Sequence, residues 1–313
     1  MSDVPSKSKP ATTWLNKGEK GALLGIRLAY GMATLFGRGP ARVLVRVIAL
    51  WYRLFDRKAV RASRDWLTRI HGKKPGWWAI YRHILRFSQV TLDRIFLLKG
   101  KTKSLEFTRT GDHHLTELAA KGQGAVLLGA HLGSYEAMRA GGGEDDVSIN
   151  ILGYFANAKM INALFARINP SMAARVIHLG DDPIGVMVRV KERVEKGELV
   201  ALLGDRIGLN ERVTTANFLG AEAPFATGPF LLASVLKCPV YLVFGLYSEP
   251  NRYDLYCEPF ADSVKLPRNA REEALNVFVQ RYADRLEHYC RIAPDNWFNF
   301  YDFWTPPSDE TRR

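Results

Sequence analysis

Apolar positions follow two rhythms along this chain. Between Gly18 and Phe55 they form broad faces punctuated by Arg27, Arg38, Arg42, Arg46 and Arg53, and Gly37-Arg38-Gly39-Pro40 divides the stretch into two helices. In the second, Val43, Leu44, Val47, Ile48, Leu50, Trp51 and Leu54 supply the apolar face. Residues 57–103 read as further basic helix, with Pro75-Gly76 as the turn between segments. From Leu105 the rhythm changes. A short strand (105–109) and a helix ended by Gly122 lead into brief apolar runs that suit buried strands: Ala125–Ala130, Val147–Phe155, Val176–Leu179, Leu199–Gly204 and Pro239–Tyr247. Helical patterns over Asn157–Pro170 and Asp182–Lys196 separate them; Tyr253–Glu258 reads as an edge strand and Arg271–Cys290 as a long amphipathic helix. This alternation predicts an α/β fold, a mostly parallel central sheet flanked by helices, behind an N-terminal basic helical region. The expected organisation is a disordered tail over 1–17, basic amphipathic helices over 18–103 and the α/β domain over 104–313.

Charge sharpens the division. The net charge is +12, but residues 1–110 carry +17 and residues 111–313 carry −5. A basic first third suggests docking onto something anionic: a lipid surface, an acidic carrier protein or nucleic acid. Neither N-terminal helix offers the roughly 20 uncharged apolar residues that spanning a bilayer requires. Arginines beside Trp51 and Tyr52 fit helices lying in a membrane surface, with the arginines reaching phosphates; core helices with a wet arginine face fit equally well. The aromatics among arginines at 61–87 carry no nucleic-acid fold signature, so nucleic acid is not an expected partner. Cys238, Cys257 and Cys290 stand far apart without C-x-x-C spacing, which argues against a zinc site or disulfide scaffold. The polar start shows no cleavable signal peptide.

The candidate chemistry sits at Gly124–Glu136. The run Ala125–Ala130 predicts a strand, His131 falls at its carboxyl end, Ser134 is a good helix N-cap, and Glu136 lies in the first turn that follows. With four residues between them, Glu136 is expected to accept a hydrogen bond from one imidazole nitrogen and leave the other as a base. A second strand, Leu199–Gly204, ends in Asp205-Arg206, which reads as an acceptor-orienting and phosphate-holding pair or as a surface ion pair.

GAHLGSYE resembles the H-x4-D/E box of the glycerolipid acyltransferase superfamily, and more closely the bacterial lipid A biosynthesis acyltransferases. Asn217-Phe218-Leu219-Gly220 and Phe225–Phe230 are similar to that family's FxG…ATxGP segment. The resemblance covers roughly residues 20–305 and implies an enzyme that moves a fatty acyl chain from acyl-ACP or acyl-CoA to a hydroxyl of a lipid or glycolipid. It implies no metal or nucleotide cofactor, and a place at the cytoplasmic face of the inner membrane. By the residues, His131 is the base and Glu136 its orienter. Arg206, or amides near Gly228 at a helix capped by Thr227, steadies the oxyanion. Phe218, Leu219 and Phe225 line an acyl channel or fill core. Lys159, Asn162 and Arg167 are candidates for holding an anionic part of the substrate. The chain ends in Trp297 and an aromatic run where the family tends to carry Trp followed by His and Arg, so the acceptor need not be a lipid A precursor. Two other readings stand beside transfer: a thioester hydrolase, although no G-x-S-x-G elbow is present, and a non-catalytic lipid or carrier-binding protein.

Overall fold

A computed structural model of the chain describes residues 22–141, 148–153, 169–170, 174–179, 182–208 and 211–305. Four helices come first: α1 (Ala22–Phe36), α2 (Arg38–Phe55), α3 (Arg57–His71) and α4 (Trp77–Leu98). The breaks fall at Gly37 and around Pro75-Gly76, as the punctuation predicts. Helix α3 starts where the Asp56 carboxylate accepts the Ala59 amide. Its buried residues Ala59, Ala62, Ser63, Trp66, Leu67 and Ile70 recur every three or four positions, so one face turns inward.

Among the described residues, the remaining elements are β1 (Glu106–Thr110), α5 (His113–Ala120), β2 (Ala125–Gly129), α6 (Tyr135–Ala140), β3 (Ile149–Gly153), β4 (Val176–His178), α7 (Pro183–Glu195), β5 (Leu199–Leu203), β6 (Val213–Phe218), β7 (Ala221–Ala226), α8 (Gly228–Leu236), β8 (Val240–Ser248), β9 (Arg252–Ala261) and α9 (Arg271–Ile292). Seven strands form one sheet in the order β1-β9-β8-β2-β5-β3-β4. Strands β8, β2, β5, β3 and β4 run parallel; β9 is antiparallel to β8, and β1 follows β9. The sheet is therefore mostly parallel, as expected. Strand β2 lies near its middle, and all five of its residues are buried.

One expectation changes here. Tyr253–Glu258 is not an edge strand. Its alternating burial resembles one, but β1 pairs along its outer side and carries the exposed edge. The segment 213–226 forms a separate antiparallel hairpin, β6–β7, in which Leu219 and Gly220 both take positive φ. Two left-handed residues make the tight turn that fits paired strands, but Leu-Gly is not the Asn-Gly or Asp-Gly signal that announces it. The Leu219 amide donates to Glu287 of α9 at 2.7 Å, which ties the turn to that helix. The helix expected over Asn157–Pro170 and the tail over 1–17 fall essentially outside the described residues.

Polar contacts dock the N-terminal helices on the sheet. Arg38 grips both oxygens of Asp93 at 2.8 Å, and the Tyr253 hydroxyl donates to the same carboxylate. Arg42 is buried and bonds the Tyr247 hydroxyl, the Pro250 carbonyl and Glu249. These two arginines face inward, so neither reading of them, reaching lipid phosphates or forming a wet face, describes their place. Arg46 is exposed, and Arg53 lies over the Trp77 ring. Trp66 of α3 stacks against Trp297 and donates to the Pro294 carbonyl.

His83 of α4 is wholly buried. One ring nitrogen meets the Ser63 hydroxyl at 2.9 Å and the other the Trp297 carbonyl at 2.8 Å. The carbonyl requires an N–H at Nε2, so Nδ1 accepts from Ser63 and the ring is neutral. Burial pushes its pKa down to about 4, against the pull of the Trp297 carbonyl and Asp295. The unfolded chain takes up this proton near the ordinary value of about 6.5, so acidification favours unfolding between there and about 4. We expect this one group to remove about 3 kcal/mol over that window. Urea titrations near pH 7 and near pH 4.5 check it: His83→Gln loses clearly less stability on acidification than the parent, and equal losses contradict the assignment.

Candidate active site

Strands β2 and β5 pair in register with Gly129 opposite Leu203. His131 and Asp205 each follow two residues later, so the parallel pairing delivers them side by side at the carboxyl end of the sheet. The Asp205 carboxylate accepts the His131 amide at 3.0 and 2.9 Å and His131 Nδ1 at 2.8 Å. The ion-pairing oxygen fixes the proton on Nδ1 and leaves Nε2 as the basic nitrogen. The Asp205 side chain is 0% exposed, whereas the imidazole keeps 27% of its surface open. Two more donors complete the carboxylate's shell: Trp297 Nε1 at 2.9 Å and Asn299 Nδ2 at 2.8 Å.

Burial by itself raises the pKa of Asp205. The imidazole, the neighbouring Arg206 cation and the donated hydrogen bonds overcome it and hold the carboxyl well below the usual range. His131 is shifted down, first by burial and then by the Arg206 and Arg94 cations, against the attraction of Asp205. At neutral pH the pair is therefore a carboxylate beside a neutral imidazole.

The expected His131–Glu136 hydrogen bond is not how this site is built. Glu136 accepts from Arg94 Nε at 2.7 Å, pairs with Arg94 Nη2, and receives the Ser134 hydroxyl at 3.3 Å. The turn after His131 explains the difference. Gly133 adopts φ +72, where a Cβ would run into the Gly245 carbonyl. Its amide donates to Asn296 and the Ser134 amide to Gly245, so the chain folds against β8 before helix α6 begins. Ser134 caps that helix through the Ala137 amide, as expected, and the helix carries Glu136 towards α4. Asp205 holds the imidazole instead.

Arg206 turns towards the C-terminal segment. Its Nε donates to Asn299 Oδ1 at 2.8 Å, its Nη2 to the Phe298 carbonyl at 3.1 Å, and the Tyr301 ring lies 6.0 Å away. Asn299 thus accepts from Arg206 and donates to Asp205. Thr227 occupies the N-cap position of α8, but its hydroxyl donates to the Arg212 carbonyl and does not cap the helix. The Glu211 carboxylate, which accepts the Gly208 amide at 2.7 Å, lies against Gly228, whose amide is the one expected to serve an oxyanion. Phe225 and Phe218 are fully buried among Phe303, Tyr282 and Trp297, which makes them core rather than channel lining. Lys159, Asn162 and Arg167 lie outside the described residues.

Sequence reasoning missed Arg94, Trp297 and Asn299 as members of the site. Arg94 comes from a helix read only as basic. Asn299 had a signal: it is a carboxamide inside an aromatic run, where a buried polar group needs partners. The Phe298 amide donates to the His131 carbonyl, and Trp297 bridges to Leu132, so this segment lies directly behind His131.

Residues 92–305 match the family described as bacterial lipid A biosynthesis acyltransferase. The chain belongs to this family. A comparison with curated proteins finds no match. Membership makes the protein an acyltransferase, with an acyl donor and a lipid acceptor. The match begins inside α4, two residues before Arg94, and ends one residue after Trp304. It therefore takes in all of His131, Glu136, Asp205, Arg206, Trp297 and Asn299.

An amide at position 205 offers one oxygen where the acyltransferase now presents two, and its NH₂ opposes the donors already there. We expect Asp205→Asn to remain folded with a lowered Tm and to lose about 10³-fold or more in kcat, the scale seen when a buried aspartate that fixes a catalytic imidazole is neutralised. Steady-state thiol release from an acyl thioester measures it; near-parental kcat contradicts a role for Asp205 in fixing the imidazole.

Proposed function

We propose that the protein transfers a fatty acyl chain from acyl carrier protein to a hydroxyl of a lipid acceptor, with His131 as general base. The observation that carries this reading is the His131–Asp205 contact: a neutral imidazole, one nitrogen fixed by a buried carboxylate, and a partly open ring at the carboxyl end of a central strand. Nε2 takes the acceptor's hydroxyl proton as the oxygen attacks the thioester carbonyl. The tetrahedral intermediate collapses by breaking the C–S bond, and the leaving sulfur receives that proton from the imidazolium. The products are a lipid ester and a free thiol. The +17 charge of residues 1–110 favours an acidic carrier protein over a free coenzyme as donor.

The same reading places the enzyme on the cytoplasmic face of the inner membrane, where thioester donors and lipid acceptors meet. Among the described residues no helix is long and apolar enough to cross a membrane. Instead, Val43, Val47, Leu50, Trp51 and Leu54 of α2 form an exposed apolar stripe with the spacing of one helix face. Leu35 and Phe36 of α1 and Trp77 and Trp78 of α4 are exposed as well. A stripe of this kind, flanked by exposed Arg46, Arg57 and Lys58, supports a helix lying in the lipid interface.

Two experiments test these readings. Purified parent and His131→Ala protein are offered saturated acyl-ACP and acyl-CoA thioesters with an extract of bacterial inner-membrane lipids, and products are resolved by mass spectrometry. Acylated lipid from the parent and none from the variant is the expected result; free acid without acylated lipid assigns hydrolysis instead, and equal activity refutes His131. In flotation with vesicles containing anionic phospholipid, the parent binds. The double variant Val47→Glu, Leu54→Glu loses at least about tenfold in partitioning, since about 1.4 kcal/mol suffices for that and two exposed aliphatic side chains exceed it. Undiminished binding rules out the α2 stripe.

A further inference from the structure

Two carboxylates lie close to the His131 loop, and only one of them touches the base. Asp205 is spent on the imidazole. Glu136 is spent on Arg94, whose Nε and Nη2 both converge on the same oxygen, Oε1, while Ser134 secures Oε2. The Glu136 side chain is only 10% exposed, whereas the Arg94 side chain is 36% exposed. The pair is thus asymmetric: a buried anion on α6 holds a less buried cation on α4. A pair that served stability alone would gain little from this arrangement, because the buried member bears a desolvation cost and the exposed member's attraction is screened.

Its position gives it another use. Glu136 lies in the first turn after the His131 loop, at the sheet's carboxyl end, where ligands enter α/β folds. The charge of Arg94 is felt at the imidazole. The other group offered for an oxyanion, the Gly228 amide, has the Glu211 carboxylate packed beside it, and Arg206 is turned into the C-terminal segment. The reaction nonetheless creates a negative oxygen. As the acceptor's O–C bond forms, the carbonyl π electrons move onto the former carbonyl oxygen, and they return when the C–S bond breaks.

We propose that Arg94 is a catalytic residue that stabilises this oxygen, and that Glu136 is the positioning residue that aims it. The inference rests on the acyl-transfer reading given above. It assigns the glutamate of the H-x4-E box to the electrophilic side of the reaction, while Asp205 serves the base.

A double-mutant cycle on kcat and KM tests it, with acyl-ACP as the donor probe and thiol release as readout. Arg94→Met and Glu136→Gln each lower kcat by about 10²–10³-fold with KM nearly unchanged, because the contact exists only in the transition state. The double variant falls no further than the worse single one, because both remove the same function. Arg94→Lys keeps the charge and spares the buried Glu136 an unpaired state, so it folds like the parent and retains an intermediate kcat. Multiplicative loss in the double variant, a rise in KM with kcat intact, or parental kcat in folded Arg94→Met each overturns the proposal. His131→Ala separates the two levels. If it stays active, the acyl-transfer chemistry itself is misassigned; if it is dead while Arg94→Met turns over normally, only the role given to Arg94 and Glu136 fails.

Discussion

The contact between Asp205 and His131 is a constraint on the whole fold. A carboxylate taken wholly out of water needs donors for its lone pairs, or it would protonate. Adjacent parallel strands in register supply the first two, the amide and the ring of His131. The others have to come from elsewhere in the chain, and they arrive from Trp297 and Asn299, more than ninety residues downstream. Satisfying one buried anion therefore obliges the C-terminal segment to return across the sheet. Once there, Trp297 becomes the surface on which Trp66 packs, and its carbonyl takes the proton of His83. The N-terminal helices are tied through this segment to the carboxylate that orients His131.

The same logic explains why Arg206 follows Asp205 without pairing to it directly. A guanidinium bound face to face with the carboxylate would compete with the imidazole for its oxygens. Asn299 stands between them, accepting from the cation and donating to the anion. The amide's orientation is thereby fixed: its oxygen must face Arg206, so its NH₂ must face Asp205. The positive charge helps keep Asp205 ionised, while its oxygens stay available to His131.

Much of this was legible from residue patterns. The apolar runs marked the central strands because strands buried on both faces must be continuously hydrophobic. His131 and Asp205-Arg206 stood out because each ended such a run. Ser134 announced its helix, and Gly37 and Pro75-Gly76 announced two of the three breaks between the first four. What escaped depended on distance in sequence. Local spacing made Glu136 the natural partner of His131, and nothing local revealed that Gly133 would swing the next helix towards α4. Which strands neighbour one another is also not written locally, so the pairing of β2 with β5, and with it the partnership of residues 131 and 205, had no signature. The Leu219-Gly220 hairpin was hidden because a leucine takes a conformation that turn-formers usually supply, held there from outside by Glu287.

The arginines of the first helices show how one periodicity can serve two surroundings. Arg38 and Arg42 are four apart and both face inward, to Asp93 and to the Tyr247–Glu249 cluster. Their charge is consumed in docking the helix, so the basic excess of this region overstates what reaches solvent. Outside, the two kinds of surface lie on different elements. Helix α2 exposes aliphatic and aromatic side chains, whereas α3 exposes Arg57, Lys58, Arg61 and Arg64 and no large apolar residue. A spanning helix would need its apolar surface on all sides. An interfacial one needs grease on one face and cations within reach of headgroups. With α2 anchored from its inner face by Arg38 and Arg42, its outer stripe is fixed in orientation by the fold itself. In the proposed interfacial mode, contact with a bilayer would cost little ordering of the helix itself, and most of the free energy of burying the stripe would go to binding.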